Sequence, residues 1–136
     1  MKNEKVILDT NLWISFLISK KFNQIDSLIR AKKITLIFSS ELLEEFIEVA
    51  FRPKFTKYFS KEDIEEILET FDQFGELIEV KSDIEVSRDE KDNFLLNLAV
   101  DSSADYLITG DTDLLILEKI ASTRIMIFND FIEHIK

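Results

Sequence analysis

Short apolar runs rich in β-branched residues punctuate the chain at regular intervals: Lys5-Val6-Ile7-Leu8-Asp9, residues 33–39, 77–80, 105–109 and 124–128. Each is bounded by polar or turn-forming residues, the pattern of buried strands that feed loops. Between them lie segments with apolar residues at helical spacing, about 11–31, 40–51, 61–74, 92–101 and 112–120, followed by a terminal turn over about 129–135. Strand then helix, five times over, predicts an α/β domain with a mainly parallel five-stranded sheet covered by helices on both faces. The sole proline, Pro53, follows the second helical segment and predicts its end. With no repeat, linker or low-complexity stretch, residues 1–136 read as a single domain.

Composition narrows the chemistry. The two glycines, Gly75 and Gly110, cannot write a glycine-rich phosphate loop. With no cysteine there is no thiol nucleophile, disulfide framework or thiolate zinc site. The single histidine, His134, stands near the end of the sequence, so acid–base or hydrolytic chemistry falls to carboxylates. No apolar stretch is long enough to span a bilayer, and Met1–Asn11 has no signal-peptide core, which gives a cytoplasmic expectation and no membrane partner.

The formal charge is −10, and it is segregated. Residues 1–37 carry seven basic and three acidic side chains, whereas residues 38–92 carry seven and seventeen. Several acids fall at the ends of elements. Asp9 closes the first strand and Asp111 follows the fourth, and in open α/β sheets ligands sit beyond the carboxyl ends of strands where the strand order reverses. Four carboxylates in one cleft would repel by ~3 kcal/mol per pair at about 5 Å and an effective dielectric near 20. Such a cluster calls for bound protons or cations, and an oxygen-only donor set suits Mg²⁺ or Mn²⁺.

Local roles compete with that reading. Asp9, Asp111 and Asp113 could each serve as a helix cap or first-turn acid, and Asp92, three residues after a possible N-cap at Asp89, could be the N3 acid of an ordinary helix start. On the helix at 40–51 the apolar face is Leu42, Leu43, Phe46, Ile47 and Ala50; Glu41 and Glu48 point away, and Glu44 and Glu45 flank the face on opposite edges, so periodicity alone does not choose between them. Asp92 shares a helical face with Leu95, Leu96 and Ala99 and is expected to point inward.

Taken together, VILDTNLWISFL, SSELLEEFIEVAFRPKF, RDEKDNFLLNLA and ADYLITGDTDLLIL resemble the four acidic motifs of PIN domains, and more narrowly those of the VapC-like proteins described as toxins of toxin–antitoxin systems. The resemblance runs in order along essentially the whole chain. It implies a three-layer fold with sheet order 3-2-1-4-5, which sets the first strand beside the fourth. It further implies catalytic and metal-ligating roles for Asp9, Glu45, Asp92 and Asp111, an auxiliary ligand in Asp113, and a supporting role for Asn11 and Thr109.

The reaction so implied is Mg²⁺- or Mn²⁺-dependent hydrolysis of RNA phosphodiester bonds by one or two ions, leaving 5′-phosphate and 3′-hydroxyl ends. The implied partners are RNA, a small antitoxin protein that places a basic segment in the acidic cleft, and a second copy of the chain, since PIN toxins commonly dimerise. Candidate RNA contacts are Arg52, Lys54 and Lys57, which stand with Phe55, Tyr58 and Phe59 in a stretch free of acids, together with the N-terminal Lys20, Lys21, Arg30, Lys32 and Lys33. Alternatives are a PIN-fold RNA-processing or repair nuclease unrelated to toxicity, and a catalytically inactive acidic module. A haloacid-dehalogenase-like phosphatase would need a second acid where Asn11 stands. A receiver-like domain would need a lysine after the fifth strand, where Phe128-Asn129-Asp130 supplies none.

Overall fold

The structure, a computed structural model, describes residues 3–19 and 23–135. Lys20 and Lys21 lie outside that range. In chain order the elements are β1 (Glu4–Leu8), α1 (Thr10–Ser19), α2 (Asn23–Arg30), β2 (Ile34–Phe38), α3 (Ser40–Ala50), a 3-10 turn (Pro53–Phe55), α4 (Lys61–Phe74), β3 (Gly75–Leu77), α5 (Glu90–Ser102), β4 (Tyr106–Ile108), α6 (Thr112–Leu115), β5 (Lys119–Ile120), β6 (Thr123–Met126) and α7 (Phe128–Ile135). The sheet runs β3-β2-β1-β4-β6-β5. Its first five strands are parallel, and β5 pairs with β6 antiparallel.

This is the anticipated 3-2-1-4-5 order with one short hairpin strand added at its edge. Strand residues alternate between two cores, as strands covered on both faces must. Val6, Leu8, Tyr106 and Ile108 pack with Trp13, Phe16, Phe46, Phe71 and Phe131 on one side. Ile7, Ile37, Leu107 and Ile125 meet Leu95, Leu96, Leu98 and Leu114 of α5 and α6 on the other.

Helix boundaries follow local capping chemistry. Ser39 caps α3 by accepting from Leu42 N–H, and Ser60 and Asp63 form a reciprocal capping box at the start of α4. Pro53 sits at the first position of the 3-10 turn that follows α3, in keeping with its expected role as a terminator.

Four expectations need correction. The helical segment at 11–31 comprises two helices, Thr10–Ser19 and Asn23–Arg30. The third strand is Gly75–Leu77 rather than 77–80: Ile78 N–H still donates to the Phe38 carbonyl of β2, but from Lys81 on the backbone bonds to α5 side chains. Asp101 accepts from the N–H groups of Lys81 and Ser82, Asn97 both accepts from and donates to Ile84, and Asn93 accepts from Val86 and Ser87 N–H. The helix expected over 112–120 is a single turn followed by the β5–β6 hairpin, with Glu118 and Ala121 in positive-φ conformations around β5. The terminal turn is a full helix, α7.

Candidate active site

Leu8 and Ile108 are register partners at the ends of β1 and β4, so the residues that follow them emerge side by side. Asp9 N–H donates to Ile108 C=O at 3.1 Å, which fixes the point where β1 gives way to α1. Asp9 then does two jobs. Its Oδ1 accepts from Asn11 N–H at 3.0 Å and its carbonyl accepts from Leu12 and Trp13, the work of a helix N-cap, while Oδ2 accepts from the buried Thr109 hydroxyl at 2.8 Å. The same Thr109 oxygen accepts from Asp111 N–H at 3.0 Å. Asp111 in turn caps α6, its Oδ1 accepting from Asp113 N–H at 2.9 Å.

α5 brings the third acid. Asp89 is its N-cap, accepting from Lys91 N–H, and Asp92 one turn on is buried. Ser87 Oγ donates to Asp92 Oδ2 at 3.4 Å. The carboxylates of Asp92, Asp111 and Asp113 each present an oxygen within 4.8 Å of the others. α3 closes the opposite wall with Glu45, and Asp9, Glu45, Asp92 and Asp111 together line a cleft of about 250 Å³. Glu44, on the other edge of α3, lines a different depression. The tertiary structure thus separates two glutamates that helical periodicity alone leaves equivalent.

Crowding has an electrostatic cost. Burial, then the charge and hydrogen bond of Asp111, then the charges of Asp89 and Asp9, push the Asp92 carboxyl up to about 6. Anions packed this way favour a proton or a cation among them. The donors are hard carboxylate oxygens, three of them already mutually close, so the residues present fit a hard divalent ion such as Mg²⁺ or Mn²⁺.

The cleft is not uniformly acidic. Arg52, Lys54 and Lys91 also line it, as do Phe55 and Phe94. Arg52 is held by Glu48, Nη2 to Oε2 at 2.9 Å, and the Lys54 ammonium lies 5.2 Å from the Phe55 ring centroid. Lys57 is not among the lining residues; its ammonium lies over Tyr58, which is itself exposed. Arg30, Lys32 and Lys33 likewise do not line the cleft. Asn11 lines it and Thr109 stands behind it, joining Asp9 to Asp111. Sequence reasoning missed Lys91 and Ser87. Lys91 sits inside the motif Arg88-Asp89-Glu90-Lys91-Asp92, and its position two residues after the N-cap was the available signal.

Comparisons with known proteins bear on this arrangement. The PIN domain family profile matches residues 5–113, a span that contains every acid of the cleft. An uncharacterized protein, MJ1680, of Methanocaldococcus jannaschii is 38% identical over 116 residues, which cover 83% of this chain and 74% of that protein. The crystal structure of PAE2754 from Pyrobaculum aerophilum is similar with a TM-score of 0.62 at 15% identity, over 97% of this chain and 88% of the other. The crystal structure of VapBC2 from Rickettsia felis bound to a DNA fragment from their promoter is similar with a TM-score of 0.54 at 19% identity, over 89% and 96%. At those identities the two structures speak for the fold. The profile match, joined to the strand order and the meeting of acids beyond β1 and β4, establishes that the chain belongs to the PIN domain family.

Proposed function

We propose that the cleft is the active centre of a divalent-metal-dependent endoribonuclease. The observation that carries this reading is the convergence of Asp9, Glu45, Asp92 and Asp111 from four separate elements on one small cleft, with an Asp113 oxygen within 4.8 Å of those of Asp92 and Asp111. Asp9, Glu45, Asp92 and Asp111 would hold Mg²⁺ or Mn²⁺, with Asp113 as an auxiliary ligand. Such an ion, when bound, supplies a water of lowered pKa and charge neutralisation on a phosphodiester.

The rest is the work of the side chains. Thr109 keeps the Asp9 carboxylate in a fixed orientation by donating to Oδ2, and Asn11 N–H holds the other oxygen. In the metal-free cleft the Asp92 carboxyl is raised to about 6, so a bound cation would take the place of its proton and metal binding would strengthen as pH rises through that value. Arg52, Lys54 and Lys91 offset the acidic walls and would engage phosphates on either side of the scissile bond, with Lys57 as an outer contact; Phe55 and Phe94 offer faces for an unstacked base. The motif order, the family and the likeness to VapBC2 support a role as the toxin of a toxin–antitoxin pair, with a small antitoxin protein inserting a basic segment into the cleft and a dimer as the assembled form.

The test is cleavage of a fluorescently labelled RNA by the purified chain with Mg²⁺ or Mn²⁺. Activity should vanish in EDTA and fall at least a hundredfold in Asp9→Asn and Asp111→Asn, with 5′-phosphate on the products. Metal-independent cleavage, or full activity in both variants, would refute the proposal. Induction in cells should arrest growth; unimpaired growth at high levels of active enzyme would count against the toxin role.

A further inference from the structure

α3 is a wall shared by two depressions. Leu42, Glu45 and Val49 face the acidic cleft, whereas Leu43, Glu44 and Ile47 face a larger groove of about 590 Å³ between α3 and α4. The α4 wall is Leu68, Phe71 and Asp72, and the floor is Phe38 at the end of β2 with Gly75 and Leu77 of β3. Gly75 has no room for a side chain, since a Cβ there would collide with the Phe38 ring and the Phe71 carbonyl. β3 is an edge strand with β2 as its one neighbour, and Leu77 stands 58% exposed. Both charged residues lining the groove, Glu44 and Asp72, are acidic and lie on opposite walls. Exposed Glu69 on α4, next to Leu68, adds negative charge beside that wall.

We propose that this groove docks a basic amphipathic helix of a partner protein. An apolar trough between two helices accepts side chains spaced i, i+3 or i+4, and i+7 on one face of a helix. Lysines or arginines flanking those anchors would meet the acidic rims, a complementarity that favours encounter and fixes orientation. The same rims select against an acidic segment in the groove. The docking surface is separate from the acidic cleft and does not rest on the nuclease reading.

The test uses the full chain, isotope-labelled for NMR and titrated with a 14-residue peptide carrying leucines at helical anchor spacing and lysines between them. Two control peptides replace its lysines by glutamates or its leucines by serines. Binding by the Lys/Leu peptide is expected, with shifts centred on Leu43, Ile47, Leu68 and Leu77. Affinity should fall at least tenfold for either control and for the exposed-site variants Leu77→Ser and Glu44→Lys/Asp72→Lys, whose amide dispersion reports an intact fold. The proposal is overturned if the Lys/Leu peptide does not bind, if the serine control binds as well, if shifts centre on Asp92 and Asp111, or if the charge reversals leave affinity unchanged. Self-association of the chain that Leu77→Ser abolishes would give the groove to a second copy and overturn it equally.

Discussion

The Thr109 hydroxyl donates to Asp9 Oδ2 at 2.8 Å, and because the same oxygen accepts from Asp111 N–H, one buried side chain couples the ends of β1 and β4. Groups that orient metal ligands typically carry 10–100-fold in affinity or activity. Thr109→Val, which keeps the shape and removes the hydroxyl, should lower RNA cleavage by about that factor, while Thr109→Ser retains most of it. Equal rates for valine and wild type would show that the bond does not orient the acid.

Asp92 makes a pH prediction with a definite sign. Its carboxyl is raised from 3.8 to about 6 by burial and by Asp111, so between those values the folded state binds more protons than the unfolded one, and folding stability contributed by this group falls as pH rises through that window. In EDTA, Asp92→Asn should be more stable than wild type at pH 7.5, and the difference should shrink towards pH 4. Denaturant unfolding at the two pH values measures it; a variant less stable at pH 7.5 would contradict the assignment.

Glu44 and Glu45 are adjacent in sequence and face different depressions. Glu45→Gln should cost at least tenfold in RNA cleavage and weaken metal binding, whereas Glu44→Gln should leave both within about twofold. The reverse order would place the cleft on the wrong edge of α3.

Asn97 is buried and bonds both the N–H and the C=O of Ile84, anchoring the extended segment that leads to Ser87 and Asp92. Asn97→Ala leaves those groups without their partner and should cost about 1–3 kcal/mol. Amide exchange at Ile84 should quicken while β1 and β4 stay protected. Unchanged exchange at Ile84 would mean that the segment is held by something else.

Much of this site was legible before the fold was known because its acids sit at element ends. Asp9 follows an apolar run and Asp111 follows Thr109-Gly110, so the strand pattern alone puts both beyond the carboxyl ends of strands; pairing of β1 with β4 then brings them together. Asp92 was expected inward from its share in the Leu95 and Leu96 face, and it is buried. Other features depend on tertiary partners that periodicity does not see. The Leu77 to Val80 run has the β-branched, apolar look of a strand, yet register pairing stops at Leu77, one further bond joins Ile78 N–H to Phe38, and from Lys81 the chain is bonded by polar side chains of α5. The two-residue β5 is too short to leave a pattern. Lys91 offered only its place in the first turn of α5, and it is the fold that sets that turn against the cleft.

The central claim is that the acids beyond β1 and β4 bind a catalytic divalent cation. The most direct measurement is anomalous diffraction from crystals of the chain soaked in Mn²⁺, with Asp111→Asn crystals as the comparison. The account predicts a manganese peak ligated by Asp9, Asp92 and Asp111 in the wild type that is lost or greatly weakened in the variant. A soaked crystal with no peak in the cleft, or one equally strong in Asp111→Asn, would contradict it.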